Sequence, residues 1–124
     1  MEVSSYRDLK VWQAAMELAV ECHRATASFP REEIYGLTSQ IRRAAGSVPA
    51  NIAEGHGRET TGAFVQFCRV AQGSLKELET HLILAGRLSF LDGARQEQLL
   101  TMSEATGKMI RAMIRSLQQR METQ

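Results

Sequence analysis

Apolar residues recur every three or four positions through almost the whole chain, in four long runs separated by short breaks. That period belongs to helices with one buried face and leaves little room for a sheet. The third run is the cleanest and predicts a helix over about 61–88. Phe64, Phe67, Ala71, Leu75, Leu78, Leu82 and Ala85 keep a heptad-like spacing there. The first run, about 8–28, follows Ser5 and Asp8, which have capping-box spacing. It carries two adjacent stripes: Leu9, Trp12, Met16, Ala19, His23 and Thr26, and beside them Val11, Ala15, Leu18, Cys22, Ala25 and Phe29. A helix in a monomeric bundle needs one apolar face, so a second subunit is expected to cover the other.

The second run covers about 31–55. It opens after Phe29-Pro30, with Glu32 and Glu33 where acids favour a helix dipole. Ile34, Leu37, Ile41, Ala44, Val48 and Ile52 form its stripe. Pro49 lies inside this stripe, where it removes a backbone donor and crowds the preceding turn. The expectation is a kink between Gly46 and Pro49, with Gly55 and Gly57 breaking the helix. The fourth run, about 94–120, has Asp92 as its N-cap and Leu99, Met102, Thr106, Met109, Met113 and Leu117 as its core stripe. Short connections make this an all-α, antiparallel, up-down-up-down four-helix bundle, a single domain over 1–124 with helix two kinked at Pro49. The heptad-like period favours shallow, left-handed packing.

A chain of 124 residues can bury a core without disulfides or metals. Cys22 and Cys68 are expected to be reduced core residues. No apolar run approaches the roughly 20 residues that cross a bilayer. The polar stretch Met1 to Asp8 has no signal-peptide character, so the expected location is cytoplasmic and no membrane partner is implied. Net charge is +1, which removes any global attraction to nucleic acid and shifts the question to local patches.

Enzyme chemistry finds no foothold. None of His23, His56 and His81 follows a glutamate by three residues, as a di-iron bundle would require. Glu77 and His81 lie one turn apart, and a local hydrogen bond or ion pair is preferred there to a metal site. No catalytic residue, cofactor or metal is therefore expected. Glu54-Gly55-His56-Gly57-Arg58 lacks the spacing of a phosphate loop, and a helix terminator is preferred to an anion nest.

Two surface patterns remain. On helix two Gln40, Arg43, Ser47, Asn51, Glu54 and Arg58 recur with helical spacing beside the apolar stripe. Their geometry-specific hydrogen-bonding groups suit a subunit or helix interface, or alternatively a ligand surface; the interface is the preferred reading. On helix four Lys108, Arg111 and Arg115 share a face, and Arg42 and Arg43 adjoin on helix two. These five are the candidate phosphate contacts for RNA or DNA. Dipole-favoured cations near a helix C-terminus are the plainer alternative for the first three. Aromatic platforms for base stacking are missing, since Trp12, Phe64 and Phe67 fall on core stripes.

Several stretches have a familiar form: Tyr6-Arg7-Asp8-Leu9-Lys10-Val11-Trp12-Gln13, Phe29-Pro30 with Glu33-Ile34-Tyr35-Gly36-Leu37, Ser39 to Ala45, Ser47 to Gly55, and Gly73 to Thr80. Together they resemble the bacterial four-helix-bundle proteins encoded within intervening sequences of large-subunit ribosomal RNA genes. The resemblance runs from about Tyr6 to Leu117. It implies a four-helix bundle, a homo-oligomer of pentameric barrel type and no catalysis. That family is similar in fold to the accessory variability determinants of diversity-generating retroelements, which bind nucleic acid and a reverse transcriptase. The motifs match the ribosomal type, so a reverse-transcriptase partner is not expected. Ala63 departs from the glutamate common before the phenylalanine that opens helix three. The resulting expectation is a non-enzymatic homo-oligomer, a pentamer, with weak, backbone-directed nucleic-acid binding. A protein-interaction scaffold without a nucleic-acid role is the alternative.

Overall fold

A computed structural model describes residues 5–123; Met1–Ser4, part of the polar amino-terminal stretch, and Gln124 lie outside the described residues. Four helices account for most of the chain: α1 (Lys10–Thr26), α2 (Leu37–His56), α3 (Thr61–Arg87) and α4 (Gly93–Glu122). Two 3₁₀ turns, Tyr6–Asp8 and Arg31–Glu33, precede α1 and α2. Each helix packs antiparallel on the next, and α4 returns to α1, which closes the bundle. No described helix is long and apolar enough to cross a membrane.

Side-chain caps start the helices where the polar residues permit. Thr60 Oγ1 accepts from the Ala63 amide at 3.2 Å, and Asp92 Oδ1 accepts from the Arg95 amide at 2.8 Å. Ser5 Oγ accepts from the Arg7 amide at 3.1 Å and caps the first 3₁₀ turn, so α1 itself begins at Lys10. The second helix starts later than its acidic lead-in predicts. Arg31–Glu33 is a separate turn, and Glu33 Oε1 reaches forward to accept from the Leu37 amide at 3.1 Å, which sets the true start of α2. α3 ends in a Schellman arrangement: Ser89 takes φ 63°, while the Phe90 and Ser89 amides donate to the Ala85 and Gly86 carbonyls.

The core is a column of small and branched side chains. Leu18, Cys22, Ile41, Val48, Ile52, Leu75, Leu78, Leu82, Leu99, Ile110 and Leu117 are almost or wholly shut from water. On α1 the second stripe, Val11 through Phe29, is the buried one. The first stripe is mixed: Ala19 and Thr26 are buried, while Met16 is 38% exposed and neighbouring Val20 43% exposed. On α4 the expected stripe holds at Leu99, Thr106 and Leu117 and fails at its three methionines. Ile110 and Ile114 point inward, while Met102, Met109 and Met113 flank the core, half-buried. Phe64 and Phe67 also lie at the core's edge, and Val65 and Cys68 take the interior positions.

α2 runs unbroken through Pro49 and also through Gly55, ending at His56; a bend at the proline is not shown. Gly55 is buried against α3, where a Cβ would stand 2.7 Å from Phe67 Cβ and 2.9 Å from Phe64 Cδ1. No side chain fits there, so this glycine serves close helix approach rather than helix termination.

Polar ties lock the corners. Arg42 Nε donates to Thr26 Oγ1 at 2.9 Å and its Nη2 to the His23 carbonyl at 3.3 Å, which satisfies the last turn of α1. Arg95 clamps Glu21 at 3.1 Å and joins α4 to α1. The Arg95 hydrogen bond chiefly holds the Glu21 carboxyl below its usual range, with Arg24 assisting. The depressed value means this tie is fully present above the ordinary carboxylate range and is lost as pH falls through the lowered pKa.

Candidate nucleic-acid interface

Lys108, Arg111 and Arg115 step by three and four residues along α4 and therefore share one exposed face. The antiparallel α3 brings Arg69 to the same groove, beside Arg111 and Arg115. None of these four cations is engaged in an ion pair among the described residues. Unpaired cations of fixed spacing on two rigid helices are what a polyanion needs, because binding then releases counterions without breaking internal bonds.

The groove deepens toward the middle of the bundle into a recess of about 610 Å³. Leu75 floors it, and Gly73 and Gly107 open its walls. Lys76, Lys108 and Arg111 line it together with Glu79 and Glu104. Glu79 is already committed: Ser103 Oγ donates to its Oε2 at 2.6 Å and Lys76 Nζ sits 3.1 Å from its Oε1. This also explains how the fully buried Ser103 is tolerated, since its hydroxyl has a charged acceptor. Gln72 and Arg111 belong to both the recess and the shallower basic depression, so the two form one continuous channel.

Arg42 and Arg43, the other candidate contacts, are not brought to this channel. Arg42 is spent on the end of α1. Arg43 is exposed one turn before Ser47, on the seam between α2 and α3. The five sequence candidates thus divide among three surfaces, and only the α4 trio forms a cluster. Arg69 and Lys76 escape a reading of charge runs because each stands alone in sequence. Their spacing of one heptad was the available signal, since it places both on one face of α3.

The polar stripe on α2 divides: Ser47 meets α3 with Asn51 bracing it from within α2, whereas Arg43, Glu54 and Arg58 are exposed. Asn51 Nδ2 donates to the Ser47 carbonyl at 2.8 Å and to Ser47 Oγ at 3.0 Å, and Ser47 Oγ lies 2.9 Å from Ser74 Oγ. Gln40 is half-buried further along. Glu54 and Arg58 form an exposed pair at 3.1 Å, with the Arg58 guanidinium 4.9 Å over the Phe67 ring. The Gly57 and Arg58 amides donate to the Ala53 and Gly55 carbonyls, so an anion nest there has no free donors from these two positions. Asn51→Ala should therefore lower stability by about 1–2 kcal/mol, read from urea unfolding at fixed protein concentration. Unchanged stability would show that the Ser47 hydroxyl holds the α2–α3 seam alone.

Glu77 and His81 do meet, at 3.4 Å, as neighbours one turn apart. Among the described residues no three His, Cys, Asp or Glu side chains gather as a metal site would need. Cys22 and Cys68 are free and buried; burial raises their thiols to about 12 and about 11, so both are protonated at neutral pH.

On the opposite side of the bundle, α1 and α2 enclose an open apolar groove of about 550 Å³. Trp12, Met16 and Val20 form one bank, and Gly46, Ala50 and Ala53 the other.

The family described as 23S rRNA-intervening sequence protein matches residues 7–112. No curated protein matches. Among solved structures, the chain is similar to a Bacteroides thetaiotaomicron protein of unknown function from the S23 ribosomal protein family. The two share 21% identity and superpose with a TM-score of 0.76, over 84% of this chain and 97% of the other. At that identity the likeness speaks for the four-helix fold alone.

Proposed function

Because the chain belongs to the 23S rRNA-intervening sequence protein family, we propose that it is a non-enzymatic homo-oligomer, of pentameric type, that binds RNA or DNA through backbone phosphates. The observation that carries this reading is the α3–α4 channel, where Arg69, Lys108, Arg111 and Arg115 share a groove and form no ion pairs among the described residues. The apolar α1–α2 groove supports the self-assembly part, since Met16 and Val20 stand exposed along it and a second copy would cover them. Binding at each subunit is weak, and repeating a modest cationic channel in every copy makes it multivalent and salt-sensitive.

The test is fluorescence anisotropy with labelled RNA across a salt titration, on protein whose mass is fixed by light scattering. Affinity that drops steeply with salt is expected, with a slope of about 0.7–0.9 per phosphate contact. No binding at low salt would leave the protein-interaction scaffold, for which the α1–α2 groove is the favouring observation.

A further inference from the structure

The recess between α3 and α4 is more than phosphate binding requires. Exposed cations suffice for a backbone, and a carboxylate beside a phosphate is of the wrong sign. Yet Glu79 and Glu104 both line this recess, and its walls are opened by two glycines. A Cβ on Gly73 would meet nothing within 4 Å, so the space is real. Its volume of about 610 Å³ lies within the ~300–1,000 Å³ range of small-molecule sites. Glu79 is satisfied by Ser103 and Lys76, whereas Glu104 is exposed with no side-chain partner among the described residues. The ligand that fits must carry an anion for Lys108 and Arg111 and N–H donors for Glu104, and be slim enough to lie between the walls at Gly73 and Gly107.

We propose that this recess takes one unstacked guanine of a bound RNA strand, read by Glu104 while Lys108 and Arg111 hold the adjoining phosphates; the proposal rests on the phosphate-binding reading above. Single-stranded bases are read on their Watson–Crick edges. Guanine offers N1–H and N2–H side by side, which match the two oxygens of one carboxylate. Adenine and cytosine put an acceptor beside the donor, and uracil flanks its single donor with two carbonyls, so each sets lone pairs against Glu104.

The experiment is anisotropy on the full chain at one salt concentration, with a short uridine oligomer and the same oligomer carrying one central guanosine. The guanosine oligomer should bind about tenfold tighter, the worth of one good two-point contact. Inosine in its place, lacking the N2 amino group, should fall between. Glu104→Gln should remove the preference, and so should Gly73→Leu, which fills the recess without touching a charge. Glu104→Gln alters an exposed side chain and so keeps the test open if Gly73→Leu fails to fold. Equal, salt-sensitive binding of both oligomers overturns the guanine site and leaves the phosphate reading standing. Binding of neither overturns both. A change of assembly mass in Gly73→Leu with the guanosine preference intact overturns the site too, making the recess a seat for a second copy.

Discussion

Ile110→Ala is expected to reduce the unfolding free energy by about 3–4 kcal/mol, whereas Met109→Ala, its neighbour, should cost no more than about 1 kcal/mol. Ile110 is wholly shut from water in the middle of α4, so truncation leaves a cavity that two rigid helices cannot collapse around. Met109 is half-buried at the core's flank, where water and its own flexible neighbours fill the space. For a domain of this size about 3 kcal/mol corresponds to a fall of roughly 10 °C in melting temperature. Urea unfolding of both variants at one protein concentration is the measurement, since self-association would add a concentration-dependent term. Equal losses would return Met109 to the core beside Ile110.

Reversing Lys108, Arg111 and Arg115 together to glutamate should abolish measurable RNA binding at moderate salt and weaken it at least about a hundredfold at low salt. Three contacts are lost and three repulsions gained. In the milder triple alanine variant the log–log salt slope should shrink by about 2–3. All three side chains are exposed, so the helix itself should persist, which circular dichroism would verify. Arg42→Glu supplies the contrast. It strips the last turn of α1 of its donor, and its expected signature is lost stability with the salt slope unchanged. Undiminished affinity in the triple glutamate variant would remove the α4 face from the proposed interface.

How much of this was legible beforehand depended on whether the signal was local. From Ala71 onward α3 could be read residue by residue, because Leu75, Leu78 and Leu82 leave one solution, whereas Phe64 and Phe67 at its start give way to Val65 and Cys68. α4 presents two stripes one residue apart, Met109 and Met113 beside Ile110 and Ile114, and periodicity alone cannot rank them. The packed bundle decides, with Ile110 and Ile114 inside and the methionines at the core's flank. The start of α2 was obscured because Pro30 and two acids are a genuine helix-opening signature; Glu33 instead spends its carboxylate on Leu37 from outside the helix. Among the site residues, the α4 trio was legible because i, i+3, i+7 spacing is a single-helix property. Arg42 was not, since its partner Thr26 lies across a turn, and neither was the recess, which exists only once α3 and α4 set Gly73 and Gly107 beside one channel.

Trp12 is the only tryptophan in the chain, half-buried on the bank of the α1–α2 groove with Tyr6 edge-on 5.3 Å away. Its indole lies on the opposite side of the bundle from the cationic channel. The molecule therefore carries its own optical reporter, placed where a neighbouring chain would dock and remote from where RNA would lie. A blue shift in its emission on concentration, untouched by added RNA, would separate assembly from ligand binding in one unlabelled sample.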